Sequence, residues 1–441
     1  MLAEICRPLS SVERWYWLSD QFSALNVISR VRVRGNIEMT ALRRGLEKLQ
    51  ARHPLLRARI DHDNGLNPRW VPCNNPIPLR ETRLVEDQQW VDEVNEYELK
   101  ERIDSATGPL IRTVVVASKA GIYDLLVVVA HIIADGTTVM TLAEQWITLA
   151  NSPASDGYTA RVLPPAEALR PTAFMGPEGA ARLAEQSTED AALISRYQPG
   201  RIEPGCIVAL EQRRSRLLRR ELDDIQLQAL IKTARNQGTT VHGALTAALV
   251  LAAALDNHKH PSHFTVGSPV DFRAELNPLV QPDEVGTYVA TVLCVVDVTA
   301  PFWEVARSIT ADLTHRKALG HHFNLVTLVA DAAPQSLKEA RPFMEYMEAE
   351  GPINLCSSNI GRYDFPDRIG NWEISGAQFL TGISINGYFV ATINTSHNKL
   401  FWNFTYIDDV VSSSRAESLA DNCVRLLLCA LNEQHYITLK E

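Results

Sequence analysis

A proline-rich middle divides this 441-residue chain into two long halves. Seven of its 23 prolines fall between Asn151 and Gly205, in a stretch with little periodicity. A chain of this length is too long for one compact core and fits two domains of about 200 residues each. We therefore predict a first domain over residues 1–150, a partly extended surface connection over 151–205, and a second domain over 206–441.

Both halves mix strands and helices without a strict alternation. In the first half, Ser10–Glu13 is typical of a capping box, residues 27–33 alternate like a strand, and Met39 to His53 has helical spacing. In the second half, helices are predicted after Asp223 and Thr239 and from Phe302 to about residue 319, among several strands. This pattern indicates an α+β fold with helices packed on one face of the sheets.

Composition narrows the class of protein. The 46% hydrophobic and 22% charged residues are typical of a soluble globular protein. Residues 1–9 lack the apolar core of a secretory signal, and no apolar run approaches the ~20 residues of a membrane span, so a cytoplasmic protein is expected. The net charge of -9 argues against nucleic-acid binding, and seven scattered cysteines indicate neither a disulfide framework nor a zinc site.

The best candidate for chemistry follows a buried strand. The apolar run from Leu125 to Val129 leads into Ala-His-Ile-Ile-Ala-Asp-Gly at residues 130–136, with a helix starting near Asp135. His131 thus stands at the end of a rigid element, and imidazole is well suited to accept a proton near neutral pH. A lone histidine beside an apolar run is more often a core residue, and Asp-Gly is also an ordinary turn signal. The pattern alone leaves both interpretations open.

A second segment gives Asp135 a partner. Residues 267–273 end a strand with Arg273 in apolar company. A buried arginine requires an anion. We therefore predict that Asp135 and Arg273 pair, which would join the two halves and fix the turn that carries His131.

Two other charged clusters have ordinary explanations. The arginines at 213, 214, 216, 219 and 220 are expected to form surface salt bridges in part, with docking of an acidic partner as a further hypothesis. The histidines at 258, 260 and 263 lie in a polar loop, and no metal site is predicted there. His321 and His322 are expected at the end of the helix after Phe302, where the dipole favours cations.

Residues 130–136 resemble the HHxxxDG motif of condensation domains from nonribosomal peptide synthetases and of polyketide-associated acyltransferases. These belong to the chloramphenicol acetyltransferase-like superfamily, in which the plant BAHD enzymes are HxxxDG relatives. Other segments resemble the family in the same order, so that the similarity covers essentially the whole chain: residues 9–14, 53–57, 241–245, 271–273 and 357–362. One departure is Ala130, which stands where the motif has its first histidine.

The resemblance implies two chloramphenicol-acetyltransferase-like lobes in a V, with the active site in a tunnel between them. It assigns general-base catalysis to His131 and structural roles to Asp135, Gly136 and Arg273. It places Ser357, Ser358 and Asn359 near the substrate, where donors for the oxyanion are needed. The donor would be an acyl thioester of phosphopantetheine on a carrier protein or CoA, with no other cofactor and no metal.

The expected activity is acyl transfer to a hydroxyl of a small-molecule acceptor in polyketide, lipid or peptide natural-product biosynthesis, by a monomer that meets an acyl or peptidyl carrier protein. Formation of an amide is an alternative. A second alternative is a catalytically silent module that recruits an enzyme or carrier protein, and a third is an epimerising or cyclising relative. Ala130 leaves the acceptor undefined.

Overall fold

The structure is a computed structural model that describes residues 4–83, 89–117, 121–152, 158, 161–383 and 387–438. The helices are α1 (Ser11–Phe22), α2 (Met39–Arg52), α3 (Gln89–Glu93), α4 (Gly136–Asn151), α5 (Ala166–Leu169), α6 (Gly176–Tyr197), α7 (Asp224–Asn236), α8 (Val241–Asp256), α9 (Phe302–Ala318), α10 (His321–Ala332), α11 (Leu337–Glu350) and α12 (Ser413–Thr438).

The strands are β1 (Arg7–Pro8), β2 (Asn26–Arg34), β3 (Ala58–Asp63), β4 (Leu66–Pro72), β5 (Leu79–Arg83), β6 (Ile111–Ala117), β7 (Ile122–Ala130), β8 (Ser215–Leu222), β9 (His263–Asp271), β10 (Val289–Asp297), β11 (Leu355–Arg362), β12 (Arg368–Ile369), β13 (Trp372–Thr381), β14 (Phe389–Ser396) and β15 (Lys399–Ile407). The α+β class predicted from the sequence is confirmed, as is the capping box, in which Ser10 and Glu13 bond reciprocally at the start of α1.

The first lobe is built on a six-stranded sheet in the order β12-β13-β2-β7-β6-β5. Its central strands β2 and β7 pair antiparallel along their whole length, and β7 is buried from Asp124 to Ala130. Helices α2 and α4 pack together and are linked by a bond from the Trp146 indole N–H to the Leu42 carbonyl, 3.0 Å long. The apolar run recognised in the sequence is thus the core strand of this lobe.

The second lobe is built on a six-stranded sheet in the order β10-β9-β11-β14-β15-β8. β11 runs parallel to both β9 and β14. Helix α8 packs against α9, α12 and β11, which its many small apolar residues allow. Among the described residues, no single helix is long and apolar enough to cross a membrane, and the pair α7 and α8, which would suffice together, is bent by 98°.

The division of the chain at residue 205 does not divide the two sheets. Strands β12 and β13 come from the second half of the chain, yet β13 pairs antiparallel with β2 in the first lobe. The sequence of the second half predicted several strands there but no strand partner in the first half. The reason is that a strand pattern specifies a buried face rather than a neighbour.

The connection between the halves is more helical than the sequence indicated. Residues 176–197 form the 22-residue helix α6, where an irregular segment was expected. Pro177 occupies the first turn, a position that suits proline because no intrahelical N–H is needed there. Gly179 is the only described residue of α6 that is buried, so the helix lies on the surface of the molecule and contributes little to its core.

The prediction for His321 and His322 is wrong. They begin a further helix, α10, after Gly320 instead of ending α9, and both are buried. The His322 ring packs between Phe272 and Phe323, and its Nε2 lies 3.2 Å from a carboxylate oxygen of Glu275. Packing therefore explains this pair, and interaction with a helix C-terminus does not.

Candidate active site

His131 occupies the short turn between β7 and α4. The N–H of the preceding Ala130 donates to the Leu110 carbonyl over 3.0 Å, and that of His131 donates to Leu25 over the same distance. The N–H of Ile133 then closes the turn onto the Ala130 carbonyl, also at 3.0 Å. The backbone is fixed on both sides of His131, so the end of a buried strand sets the position of its ring.

Two residues outside the sequence motif hold His131. The Tyr16 ring of α1 stacks on the imidazole with 4.8 Å between centroids and 28° between planes. The Thr287 hydroxyl donates to the His131 carbonyl at 2.5 Å. Nδ1 of the ring is buried and has no hydrogen-bond partner among the described residues. Because Nδ1 is enclosed, Nε2 is the candidate nitrogen of this half-buried ring for contact with a substrate.

The surroundings of the imidazole favour its neutral form. Burial lowers the pKa of His131 below its ordinary value, because a charged ring loses its hydration there. The carbonyls of His131 and Ala134 and the charge of Asp135 oppose this effect without reversing it. A neutral ring at physiological pH can accept a proton.

Asp135 caps helix α4 and joins the two lobes. One oxygen, Oδ1, accepts from the Thr138 N–H at 2.9 Å and from Nη2 of Arg273 at 2.8 Å. Oδ2 accepts from the Tyr288 N–H at 2.9 Å. The ion pair predicted from the sequence is thus present and buried: the Asp135 side chain is 1% exposed and that of Arg273 is 7% exposed. Burial alone would raise the pKa of Asp135, but Arg273 and the two N–H donors hold it below its ordinary value.

Arg273 connects this carboxylate to the rest of the second lobe. Its Nη1 donates to Asp271 and its Nη2 to the Thr138 hydroxyl, both at 2.6 Å. The guanidinium carbon lies 4.9 Å from the centre of the Tyr288 ring, a cation–π distance. Thr138 in turn donates to the Gly286 carbonyl at 2.7 Å. The loop of residues 286–288 is therefore bonded at each position to the turn that carries His131.

Gly136 is required by a close approach of the two sheets. A Cβ at this position would lie 2.6 Å from Cε2 of Phe379 on β13 and 3.0 Å from Cγ2 of Ile360 on β11. Any side chain would thus displace one of these neighbours. The glycine lets the N-terminus of α4 lie directly against both strands.

The three substrate-contact residues predicted on β11 do not share one environment. The Ser357 side chain is fully buried, and its hydroxyl accepts from Thr246 of α8 at 2.8 Å, which gives it a structural contact inside the second lobe. Asn359 lines a large cleft beside His242, and its Oδ1 accepts from the Gly361 N–H at 2.7 Å. Ser358 is half-buried and alternates with these two along the strand. Ser357 and Asn359 thus share one face of the strand and Ser358 lies on the other, and Asn359 is placed at the cleft.

The arginine cluster is occupied by ion pairs within the chain. Arg213 lies 2.7 Å from the Glu348 carboxylate, and Arg216 lies 2.5 Å from that of Glu96. Arg219 and Arg220 also have carboxylate neighbours. These pairs are the salt bridges expected in part from the sequence, and they leave the docking hypothesis without support.

Tyr16, Thr287 and Tyr288 were not identified by sequence reasoning. Tyr16 lies in an aromatic-rich helix whose residues looked alike, and Thr287 falls where a strand from residue 285 was expected, although β10 begins only at Val289. Their contacts with the motif join positions more than 100 residues apart, which no local pattern indicates. Among the described residues, no group of three or more His, Cys, Asp or Glu side chains could hold a metal ion.

Two family models match separate parts of the chain. The condensation-domain model matches residues 8–155, and the model for the C-terminus of phthiocerol/phthiodiolone dimycocerosyl transferase matches residues 211–359. A component of the linear gramicidin synthase of Brevibacillus parabrevis is 30% identical over 138 residues, which are 29% of this chain and 3% of that protein. The chain therefore spans a small fraction of that relative.

Solved structures share the fold over nearly the whole chain. The TRI3 trichothecene 15-O-acetyltransferase of Fusarium sporotrichioides has a TM-score of 0.71 at 14% identity, with 96% of this chain and 94% of that chain covered. Polyketide synthase associated protein 5 of Mycobacterium tuberculosis has a TM-score of 0.66 at 18% identity, with 98% and 99% covered. The epimerization domain of the third module of tyrocidine synthetase B has a TM-score of 0.67 at 15% identity, with 98% of each chain covered. The two-lobed fold implied by the resemblance is thus confirmed.

Proposed function

We propose that the chain is a member of the chloramphenicol acetyltransferase-like superfamily of condensation domains and acyltransferases, and that it transfers an acyl group from a thioester to a hydroxyl group. The donor is an acyl thioester of phosphopantetheine, carried by an acyl or peptidyl carrier protein or by CoA. The acceptor is a small molecule of natural-product biosynthesis. Thioester exchange of this kind needs positioning and proton transfer, which side chains alone can provide.

The observation that carries the proposal is the setting of His131. A neutral imidazole, fixed by Tyr16 and Thr287 and with Nδ1 enclosed, presents Nε2 as a base. Nε2 takes the proton of the acceptor hydroxyl while the oxygen attacks the thioester carbonyl. The carbon–sulfur bond then breaks, and the imidazolium returns the proton to the leaving thiolate. The products are an ester and a free thiol.

The other motif residues support this base without touching the reacting atoms. We assign Asp135 and Arg273 to positioning, since their bonds hold the start of α4 and the 286–288 loop together. Gly136 allows the close contact with β11 and β13, and Ser358 and Asn359 are proposed to contact the substrate. The Asp135 carboxylate accepts from Thr138, Arg273 and Tyr288, which engages three of its about four acceptor sites and argues against a role as the acid of a catalytic triad.

An amine acceptor is the second candidate for the same site, because the mechanism at Nε2 is unchanged. Ala130, which stands where the motif has its first histidine, counts against an orthodox amide-forming domain and favours the hydroxyl acceptor. A silent recruiting module is less well supported. Such a module has no need for a buried, oriented histidine whose pKa is lowered. The nature of the product, ester or amide, distinguishes the first two.

The test is product analysis by mass spectrometry with acyl-CoA and acyl-carrier-protein donors and panels of alcohols and amines. We expect His131→Ala to lower the rate by about 10²–10⁴-fold, the range of general-base catalysis. His263→Ala is the matched control, since His263 also stacks on a tyrosine, Tyr197, at 4.0 Å, and it should keep the rate of the unaltered chain.

The pH profile gives an independent reading. The neutral ring is the active form, and burial lowers its pKa. We therefore expect kcat/KM to be constant as the pH is lowered to about 6.5, the ordinary pKa of histidine, and to decrease only at more acidic pH. Full activity of His131→Ala, or an acidic limb at or above 6.5, would refute the role of His131. Absence of turnover with any donor and acceptor would favour the recruiting module.

A further inference from the structure

A narrow cleft adjoins His131 on the side of Tyr16. It contains about 690 Å³ of empty space, part of it open to solvent. Its inner wall includes Tyr16, which stacks on the imidazole, Thr287, which bonds to the His131 carbonyl, and Ile132. Its outer wall includes Val162, which is 42% exposed. The cleft therefore leads from the surface to the immediate neighbours of the proposed base.

The wall of this cleft is mostly apolar. Residues from five separate segments contribute to it, among them Val12, Leu55, Ile132, Leu163, Pro164 and Val285. The charged side chains that also line it have partners inside the protein, apart from one oxygen of Glu167, which is buried without a partner among the described residues. Arg7 binds Glu13 at 2.7 Å, and Glu167 accepts from the Val12 N–H at 3.2 Å. A guest in this cleft would meet apolar surface and few unengaged polar groups.

One wall is a segment of the connection, residues 161–167, which we term the strap. Arg161 fastens it to the second lobe through two bonds to Glu284, 2.6 and 2.7 Å long, and a third to the Leu279 carbonyl at 2.8 Å. Glu284 is only 3% exposed and also accepts from the Gln281 N–H at 2.7 Å. A buried carboxylate with these partners is a firm anchor, because leaving it unpaired would be costly. The strap is thus a fixed wall.

We infer that this cleft receives the hydrocarbon chain of the acyl donor and that Leu163 and Ala166 of the strap set the accepted chain length. The inference rests on the proposed acyltransferase function and adds the class of acyl group, a neutral aliphatic chain. A pantetheine arm fits this cleft less well, because its amides require hydrogen-bond partners that the wall has already committed elsewhere.

A larger cleft in the second lobe offers the opposite chemistry. It is lined by Asn359, His242, Arg362, Asp364 and Asp367, among other residues. Burying a hydrocarbon chain against such groups would deprive them of water. This cleft is therefore the alternative location that an experiment must exclude.

Binding of S-alkyl N-acetylcysteamine thioethers, which have no scissile bond, tests the inference without turnover. With alkyl chains of increasing length, calorimetry should show affinity rising by about fourfold per added methylene until the cleft is full. Leu163→Ala should move this limit to longer chains, and Ala166→Leu should move it to shorter ones. Ile231→Ala, which truncates a side chain in the larger cleft, is the control and should leave the limit unchanged.

The inference is supported if the chain-length limit moves in opposite directions in Leu163→Ala and Ala166→Leu. Circular dichroism would verify that both variants are folded. Affinity that does not depend on chain length would overturn it, as would a limit that responds to Ile231→Ala and not to the strap. The proposed function is tested separately by the transfer assay. It is contradicted if no donor gives acyl transfer that is lost in His131→Ala. The two hypotheses are thus distinguishable.

Discussion

The carboxylate of Asp135 serves two purposes from one position. It accepts the Thr138 N–H at the start of α4, and it neutralises an arginine that belongs to the other lobe. Thr138 and Arg273 are themselves bonded to further groups, so the loss of the carboxylate would be felt beyond a single contact. At this position the local rule for helix capping and the global need to pair a buried charge select the same residue.

Replacing Asp135 should therefore reduce stability as well as turnover. We expect Asp135→Ala and Arg273→Ala each to lower the free energy of unfolding by about 3 kcal/mol, because each leaves a buried charge without its main partner. The double variant should cost at least about 1 kcal/mol less than the sum, as for residues in direct contact. Urea unfolding followed by circular dichroism measures all three. An Asp135→Ala protein of undiminished stability that had lost only its activity would contradict the positioning role.

Residues differ in how far the sequence reveals their roles. The Asp135–Arg273 pair could be predicted because two charges in apolar surroundings each require a partner, whatever the fold. Tyr16 and Thr287 could not, since an aromatic ring or a hydroxyl has many acceptable environments. Ser357 was predicted as a substrate contact together with its neighbours, and that role stays a prediction. The motif does not reveal that its hydroxyl accepts from Thr246. Side chains alternate between the two faces of a strand, and no motif specifies which face meets a ligand.

At the scale of elements, β13 is the strand that binds the lobes together. One edge of it pairs with β2. Its other edge pairs with β12 at Trp372 and Glu373, and farther along that edge side chains from the second sheet satisfy its backbone. Asn394 accepts from the Phe379 N–H at 3.2 Å and donates to the Ala377 carbonyl at 3.0 Å. Asn403 donates to the Phe379 carbonyl at 3.0 Å. Polar side chains thus take the place of a neighbouring strand at a buried edge.

This arrangement predicts a graded effect of two similar substitutions. Asn394→Ala removes the acceptor of a buried N–H and should lower the free energy of unfolding by about 2 kcal/mol. Asn403→Ala should cost less than about 1 kcal/mol, because the Phe379 carbonyl still accepts from Thr392 at 3.3 Å. Chemical unfolding of the two variants provides the comparison. Equal losses, or a larger loss for Asn403→Ala, would disprove the backbone-satisfying role of Asn394.

The elements that the sequence predicted well are those with local signals. Helix α1 has a capping box and β2 an alternating pattern, and both are present as expected. Helix α6 was missed because it lies in the proline-rich connection and only Gly179 among its described residues is buried, so that the segment resembles a surface linker. Helix α10 was missed for the opposite reason. Its first turns are buried, and both polar and apolar residues are among the buried ones, so the sequence does not show one apolar and one polar face. In both helices, the residues that are buried depend on elements distant in the sequence, so a local sequence pattern does not reveal them.

At the scale of the whole molecule, the lobes are joined at points far apart. Besides the Asp135–Arg273 pair, Asn95 bonds both the N–H and the carbonyl of Leu217 on the edge strand β8, at 2.6 and 3.3 Å. Arg216 spans the same region to reach Glu96. These contacts, together with β13, brace opposite parts of the seam. A site that lies between such contacts, as His131 does, keeps its geometry without a bound ligand. An in-line transfer between two substrates requires such a fixed geometry.

Stability of the whole molecule should depend on pH through buried groups outside the site. Burial lowers the pKa of His53 and of His242 to about 4. Each contributes stability that is present above about 6.5, the unfolded value, and is lost as pH falls toward 4. Burial raises the pKa of Asp20 to about 7, although the Leu25 N–H and two arginines act against it. Its contribution has the reverse sign, being present below about 3.9 and lost as pH rises through 7.

Between pH 4.5 and 6.5 two histidines thus oppose one carboxyl, and we expect the free energy of unfolding to fall on acidification. His242→Gln should reduce this fall by about 2 kcal/mol, since one proton-linked group is removed. Asp20→Asn should steepen it, because the group that favours acid is lost. Unfolding by urea at a series of pH values within this range measures both slopes. If the two variants changed the slope in the same direction, the assignment of these opposing groups would be wrong, because burial acts on an imidazole and on a carboxyl with opposite signs.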